Sequence, residues 1–169
     1  MEQNIDNKID LKDRLTAFYN SYKMSIYVFI STLIIISISI TFIKINNEKK
    51  NTLTAEKYIQ ASLYLTSGKK EESQKIFEEI IYNKSKFYSI LAFNKILENN
   101  LISEKQKILD YFKIMEEITK NEEQLNLIIF KKALYLIKIS NTQEGNMLLK
   151  NLIDKNSKLK PLAEEILAK

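Results

Sequence analysis

A single uncharged apolar run constrains this chain more than any other feature. Residues 24–43 read MSIYVFISTLIIISISITFI, and Lys23 and Lys44 flank them. A helix rises about 1.5 Å per residue, so about 20 residues suffice to cross a hydrocarbon core about 30 Å thick. The sequence therefore predicts one transmembrane helix over 24–43, with Lys23 and Lys44 as its membrane-flanking residues.

The run is typical of an uncleaved anchor rather than of a secretory signal. A signal has a short basic leader, an apolar stretch of about 7–15 residues and a small-residue cleavage site. Here the apolar stretch is longer, no small-residue cleavage pattern follows it, and the leader carries four acids, Glu2, Asp6, Asp10 and Asp13. A buried core helix fits poorly as well, because such helices are rarely apolar all round for this length. We expect a permanent tether.

The flanking charges do not orient this helix. The positive-inside rule compares the Lys and Arg residues within about 15–20 positions of the two ends. Four stand on each side: Lys8, Lys12, Arg14 and Lys23 before the run, and Lys44, Lys49, Lys50 and Lys57 after it. A long folded domain can also cross a membrane largely regardless of its charge. Charge alone therefore leaves both orientations open.

Composition narrows the chemistry that the chain can perform. It has neither Cys nor His among its 169 residues, which removes thiol nucleophiles, thiolate metal sites and the usual general base. The net charge of +5 comes from lysines scattered among glutamates, with Arg14 the single arginine, whereas nucleic-acid readers favour arginine clusters. Catalysis by a pair of carboxylates needs two that converge on one site. Adjacent carboxylates on a helix, such as Glu78 and Glu79, point in different directions. We expect no enzyme, no cofactor, no metal, no small-molecule substrate and no nucleic-acid partner.

The remainder of the chain predicts an all-α fold. The only strong helix breakers are Gly68, Gly145 and Pro161, and no stretch alternates with the period of a strand. Turn residues such as asparagine and serine separate the helical patterns. Helices are predicted over 54–67, 70–82, 86–99, 103–120, 122–140, 143–154 and 159–168. Short connections of this kind imply antiparallel neighbouring helices.

Two local patterns refine this prediction. Ser103 and Gln106 have the spacing of a capping box, which favours a helix start at that point. Ahead of the span, apolar residues recur at helical spacing and indicate a short amphipathic helix: Leu11, Leu15, Phe18 and Tyr22. This segment is either an interfacial lead-in to the membrane or a docking site for a partner.

An internal repeat gives the most specific sign of the fold. The stretch SLYL at 62–65 aligns with ALYL at 133–136, and one inserted turn residue then brings Ser73 onto Gly145 and Phe77 onto Leu149. The offset of 71–72 residues equals two units of about 35, and helix pairs that recur at about 34 residues are typical of tetratricopeptide repeats. Ala61 and Ser73 occupy the small positions of the first unit. A generic antiparallel bundle is the alternative.

These patterns divide the chain into a juxtamembrane amphipathic segment over 1–23, the span over 24–43, a linker over 44–53 and a helical domain over 54–169. We expect the domain to be a tetratricopeptide-like solenoid of about three helix pairs and a closing helix. The first helices of stacked pairs line a concave groove. On those helices the candidate partner-groove residues are Tyr58, Tyr64, Tyr88, Asn94 and Lys95.

The order of motifs resembles the family of ancillary Sec-translocon subunits of the YfgM type, which are single-span membrane proteins with a tetratricopeptide-like domain. The resemblance lies in DLKDRLTAFYNSYK at 10–23, the first hairpin at 55–81, FYSILA at 87–92 and LAEEILA at 162–168. It implies a bacterial inner-membrane protein with a cytoplasmic N-terminus and a periplasmic domain. It also implies a role beside the translocon channel, with periplasmic chaperones or emerging chains as partners.

The leading functional hypothesis is therefore a membrane-anchored protein-protein interaction scaffold that links the Sec translocon to such partners. Its anchor would hold a weak binding groove at high effective concentration near the channel exit. One alternative is an adaptor or assembly factor of the same build that faces the cytosol. Another is a bundle whose repeats pair between copies of the chain.

Overall fold

The computed structural model describes residues 6–168, together with the side chains of residues 11–168 other than Asn20 and Ile26. The predicted juxtamembrane segment therefore begins outside the described residues. Within them the chain is all-helical and contains no strand, as predicted. The helices are α1 (Asp6–Thr66), α2 (Lys70–Tyr82), α3 (Tyr88–Glu98), α4 (Lys105–Ile118), α5 (Glu122–Lys138), α6 (Thr142–Asp154) and α7 (Lys160–Leu167).

The first helix is longer than the sequence pattern suggests. Residues 44–53, predicted as a linker, are helical, and the helix predicted from 54 is the last part of α1. No glycine or proline lies between Lys44 and Thr66, so no residue interrupts the backbone hydrogen-bond ladder. Polarity changes at Lys44, but a change of polarity does not end a helix.

The part of α1 that contains the apolar run is long and apolar enough to cross a membrane. Its large apolar side chains are exposed, for example Phe29, Ile35 and Phe42. Its hydroxyls donate to carbonyl oxygens three or four residues earlier: Ser31 and Thr32 to Val28, Ser39 to Ile35, and Thr41 to Ser37, over 2.8–2.9 Å. These bonds give the four hydroxyls acceptors within the helix, as a hydrocarbon environment requires.

Residues Lys50–Lys169 form a separate compact unit. Its main core draws on the end of α1 and on α2–α5, with Phe77, Ile80, Phe112 and Met115 fully buried. A smaller cluster joins α5, α6 and α7 through Ala133, Leu149 and Ala163. Burial of a large apolar side chain stabilises a fold by about 1.5–3 kcal/mol, so these clusters supply the main stabilisation of the unit.

The structure repeats itself with a single offset of 72 positions. Gly68 and Ser140 both have positive φ, at 77° and 70°, and end the first helix of their hairpins. The next residues close the same 6→1 bond: Lys69 N–H donates to Tyr64 O, and Asn141 N–H donates to Leu136 O, each over 2.9 Å. The predicted inserted residue is therefore wrong, because this register aligns Ala61, and not Ser62, with Ala133.

Three hairpins follow one another: the first is the end of α1 with α2, the middle one is α3 with α4, and the last is α5 with α6. Small residues lie buried at matching positions in the first and last of them, which we call the outer hairpins. Ala61 and Ser73 are fully buried in the first, and Ala133 and Gly145 are buried in the last. A Cβ atom on Gly145 would lie 2.8 Å from the Ala133 carbonyl oxygen and 2.7 Å from Ile137 Cγ1. The space around Gly145 thus accommodates a hydrogen atom and no more, which lets α6 pack closely on α5.

The caps differ from prediction at one helix. α4 begins at Lys105, and its N-cap Glu104 makes no side-chain hydrogen bond, so the predicted capping box at Ser103 does not form. Gln106 Nε2 donates instead to Asp110 Oδ1 over 3.0 Å. A side-chain cap does form at α5, where Asn121 Oδ1 accepts from Gln124 N–H over 3.0 Å.

Candidate functional site

An apolar cleft of about 350 Å³ is bounded by α3, α4 and α5. Its floor comes from the hydrophobic core, because Phe93, Phe112, Met115 and Ile128 are all buried. Ile90 and Leu91 of α3 add partly buried apolar surface. This volume lies at the small end of the range of ligand pockets, about 300–1,000 Å³, so the cleft can admit a few side chains.

The rim of the cleft combines exposed apolar residues with cationic and amide groups. Phe87 exposes 64% of its surface just before α3, and Leu127 exposes 43% on α5. The remaining rim residues are Lys86, Asn94, Gln124 and Lys131. Exposed large apolar side chains that border a pocket with a polar rim are typical of interaction sites.

None of the carboxylates whose side chains the structure describes lines this cleft. Lys131 Nζ donates to Asn94 Oδ1 over 2.8 Å, so a neutral amide joins α5 to α3 at the rim. Among the described residues, no ion pair joins Lys86 or Lys131 to a carboxylate, whereas the adjacent Lys132 pairs with Glu116 over 2.9 Å. The mouth of the cleft is thus positively charged.

The cleft exists because the middle hairpin lacks small residues at its crossing. Aligned on its own positive-φ residue, Asn100, this hairpin has Phe93 where the outer ones have Ala61 and Ala133. Aligned on helix starts, α4 has Ile108 at the position of Ser73 and Gly145. Because these side chains are bulky, α3 and α4 pack less closely than α5 and α6 do. The Phe93 ring meets the Phe112 ring edge-on, with centroids 4.7 Å apart.

The five predicted groove residues do not line one common surface. Tyr58 and Tyr88 come together, with ring centroids 6.0 Å apart, and pack on the core. Tyr64 lies beside the first turn, with Lys69 Nζ 5.6 Å from its ring centroid. Lys95 pairs with Glu98 over 3.3 Å. Of the five, Asn94 lines the cleft.

Sequence reasoning did not single out Phe87, Leu127, Lys86 or Lys131 as site residues. One available signal was α5, where the stretch LNLIIF at 125–130 has more apolar residues than one buried stripe requires. Leu127 is the surplus residue that stays exposed while Ile128 is buried. Nothing in the sequence marked Phe87 as a site residue, since an aromatic residue beside a helix start is usually a packing residue.

Neighbouring carboxylates separate, as the helical geometry predicts. Glu78 pairs with Lys107 over 2.7 Å while Glu79 pairs with Lys57, and Glu117 pairs with Lys84 over 2.7 Å. The hydrogen bond from Lys107 to Glu78 raises the pKa of that lysine. The described part of the chain contains no group of acidic side chains placed to hold a metal ion.

These observations define the candidate site as an apolar cleft with a cationic rim on an all-helical unit, in a chain with one helix apolar enough to cross a membrane. No protein-family model, curated protein or solved structure matches the chain.

Proposed function

We propose that this chain is a membrane-anchored protein-interaction scaffold, and that it serves as an ancillary subunit of the Sec translocon. Its tetratricopeptide-like hairpins bind a partner protein: the channel, a periplasmic chaperone or an emerging chain. The observation that carries this proposal is the apolar cleft, with Phe87 and Leu127 exposed at its rim. The repeated hairpins and the resemblance of the juxtamembrane and closing segments to the translocon family support it. The proposal includes no catalytic step.

The test is site-specific photo-cross-linking of the full chain in native membranes. A photoreactive amino acid replaces Leu127, which is 43% exposed at the cleft, or Met147, which is 64% exposed on α6 away from it. We expect Leu127 to cross-link to a translocon channel subunit or to a periplasmic chaperone, and Met147 not to do so. Equal yields from both positions, or products at Leu127 that contain neither kind of protein, would contradict the proposal.

The proposed orientation places the N-terminus in the cytoplasm and the helical domain in the periplasm. The chain has no cysteine, so one introduced thiol reports on its own side of the membrane. Ser103 and Thr16 are both exposed and therefore accessible to a thiol reagent after substitution by cysteine. In intact spheroplasts an impermeant reagent should label Ser103→Cys, and should label Thr16→Cys only after lysis. The reverse pattern would favour the cytosol-facing adaptor.

A further inference from the structure

We infer that the cleft binds an acidic amphipathic helix of the partner, with two bulky apolar side chains one turn apart directed into the cleft and carboxylates beside them at the rim. This inference rests on the proposed function as a protein-binding scaffold, and it names the chemistry that the scaffold selects.

The apolar part of this inference follows from the shape and lining of the cleft. Its floor of Phe93, Phe112 and Met115 has no side-chain hydrogen-bonding group, so it favours aliphatic or aromatic side chains. A volume of about 350 Å³ admits a few side chains and not a folded domain. An amphipathic helix that lies in a groove presents such side chains at i and i+3 or i+4.

The acidic part follows from the charges at the rim. Lys86 and Lys131 border the cleft, no carboxylate lines it, and neither lysine has an ion-pair partner among the described residues. Some other lysines of the same unit are paired, among them Lys132 with Glu116 and Lys107 with Glu78. Carboxylates of an incoming helix would complement these two cations, whereas lysines of a basic helix would be repelled.

The amide of Asn94 at the rim is compatible with the same acidic helix. Asn94 Oδ1 accepts from Lys131 Nζ over 2.8 Å, which places the ammonium group at the border between α3 and α5. The Lys131 ammonium has three N–H donors and Asn94 accepts from one of them, so the others can donate charge-assisted hydrogen bonds to an incoming carboxylate. A carboxylate therefore finds a cationic donor at this point without breaking the bond between Lys131 and Asn94.

The test is a selection of displayed helix-forming peptides against the full chain in nanodiscs. We expect enriched peptides to carry two large apolar residues three or four positions apart, with Asp or Glu within one turn of them. Their binding should weaken as salt rises, because exposed charge pairs are screened. In Lys86→Glu/Lys131→Glu, we expect the affinity of the enriched peptides to fall by about tenfold or more.

The matched control is Lys150→Glu/Lys155→Glu, which changes the net charge equally at two exposed lysines outside the cleft lining. It should leave peptide affinity within about twofold, since each charge lies outside the contact. Enrichment of peptides without acidic residues, an equal loss in the control, or binding of anionic lipid vesicles in place of peptides would overturn the inference. If the Leu127 cross-links to the translocon persist under any of these outcomes, the acidic helix is wrong and the scaffold proposal stands.

Discussion

At the scale of single residues, two small residues at equivalent positions, Gly145 and Ser73, differ in the space and the hydrogen-bond partners around them. Gly145 has no room for a methyl group, because a Cβ there would come within 2.8 Å of the Ala133 carbonyl oxygen. Ser73, 72 positions earlier, already has a Cβ, and its buried hydroxyl has no hydrogen-bond partner among the described residues. Substitution by alanine should therefore have opposite effects on the stability of the domain at the two positions.

We expect Gly145→Ala to destabilise the domain by about 1–3 kcal/mol through overpacking, in spite of a helix-propensity gain of about 1 kcal/mol. Ser73→Ala should stabilise it by up to about 1 kcal/mol, since it removes an unsatisfied buried hydroxyl. Denaturant unfolding of the full chain in micelles, followed by circular dichroism, measures both. Stabilisation by Gly145→Ala would show that α5 and α6 separate easily at this point.

At the scale of the elements, the hairpin turns repeat more faithfully than the sequence does. Gly68 and Ser140 share the left-handed conformation and the same pair of closing hydrogen bonds. Only glycine adopts this conformation without a steric penalty, and a Cβ at Gly68 would meet no atom within 4 Å. An exchange of residues between the two turns therefore tests the backbone alone.

We predict that Ser140→Gly stabilises the domain by about 0.5–1 kcal/mol and that Gly68→Ser destabilises it by a similar amount, because a non-glycine residue at positive φ costs about 1–2 kcal/mol before the entropy of the unfolded chain is counted. Thermal and denaturant unfolding of the two variants and their double exchange provide the measurement. The double exchange should lie close to the wild type, since the two expected changes are opposite in sign and similar in size. Changes of the same sign in both single variants would contradict the structural equivalence of the turns.

At the scale of the whole molecule, Lys50–Lys169 is a compact unit with its own core. Its first helical part is the end of α1, where Ala61 is fully buried and Tyr58 and Leu65 pack on that core. The unit thus includes residues that precede the first turn, and we expect its folding to depend on them.

A fragment of residues 50–169 should fold on its own and unfold in one cooperative transition, because single domains of this size are usually two-state. A control fragment of 67–169 lacks Tyr58, Ala61 and Leu65 and should lose cooperativity, since its core face opens to water. Calorimetry and circular dichroism compare the two fragments. A broad, non-cooperative transition in the longer fragment would show that the unit needs the rest of α1.

The sequence predicted the helical class, the position of the apolar helix and the bounds of α2, because periodicity and breakers act locally. It missed the continuity of α1, where polarity changes without a breaker, and it placed the capping box at Ser103, where the structure extends the loop to Glu104. The sequence did not predict the cleft, because the cleft depends on the spacing that Phe93 and Ile108 set between α3 and α4. The effect of side-chain volume on the packing at a helix crossing can be judged only when the partner helix is known.

The difference in residue size between the outer hairpins and the middle hairpin has a consequence for protein engineering. Small residues hold the outer hairpins closed, whereas bulky ones keep the middle hairpin open around the cleft. The positions expected to set stability and the positions that line the cleft are therefore different residues. We expect substitutions at Ser73 or Ser140 to raise the melting temperature and leave the lining of the cleft unchanged, and we expect redesign of Lys86 and Lys131 to change which peptide the proposed site selects without changing the fold.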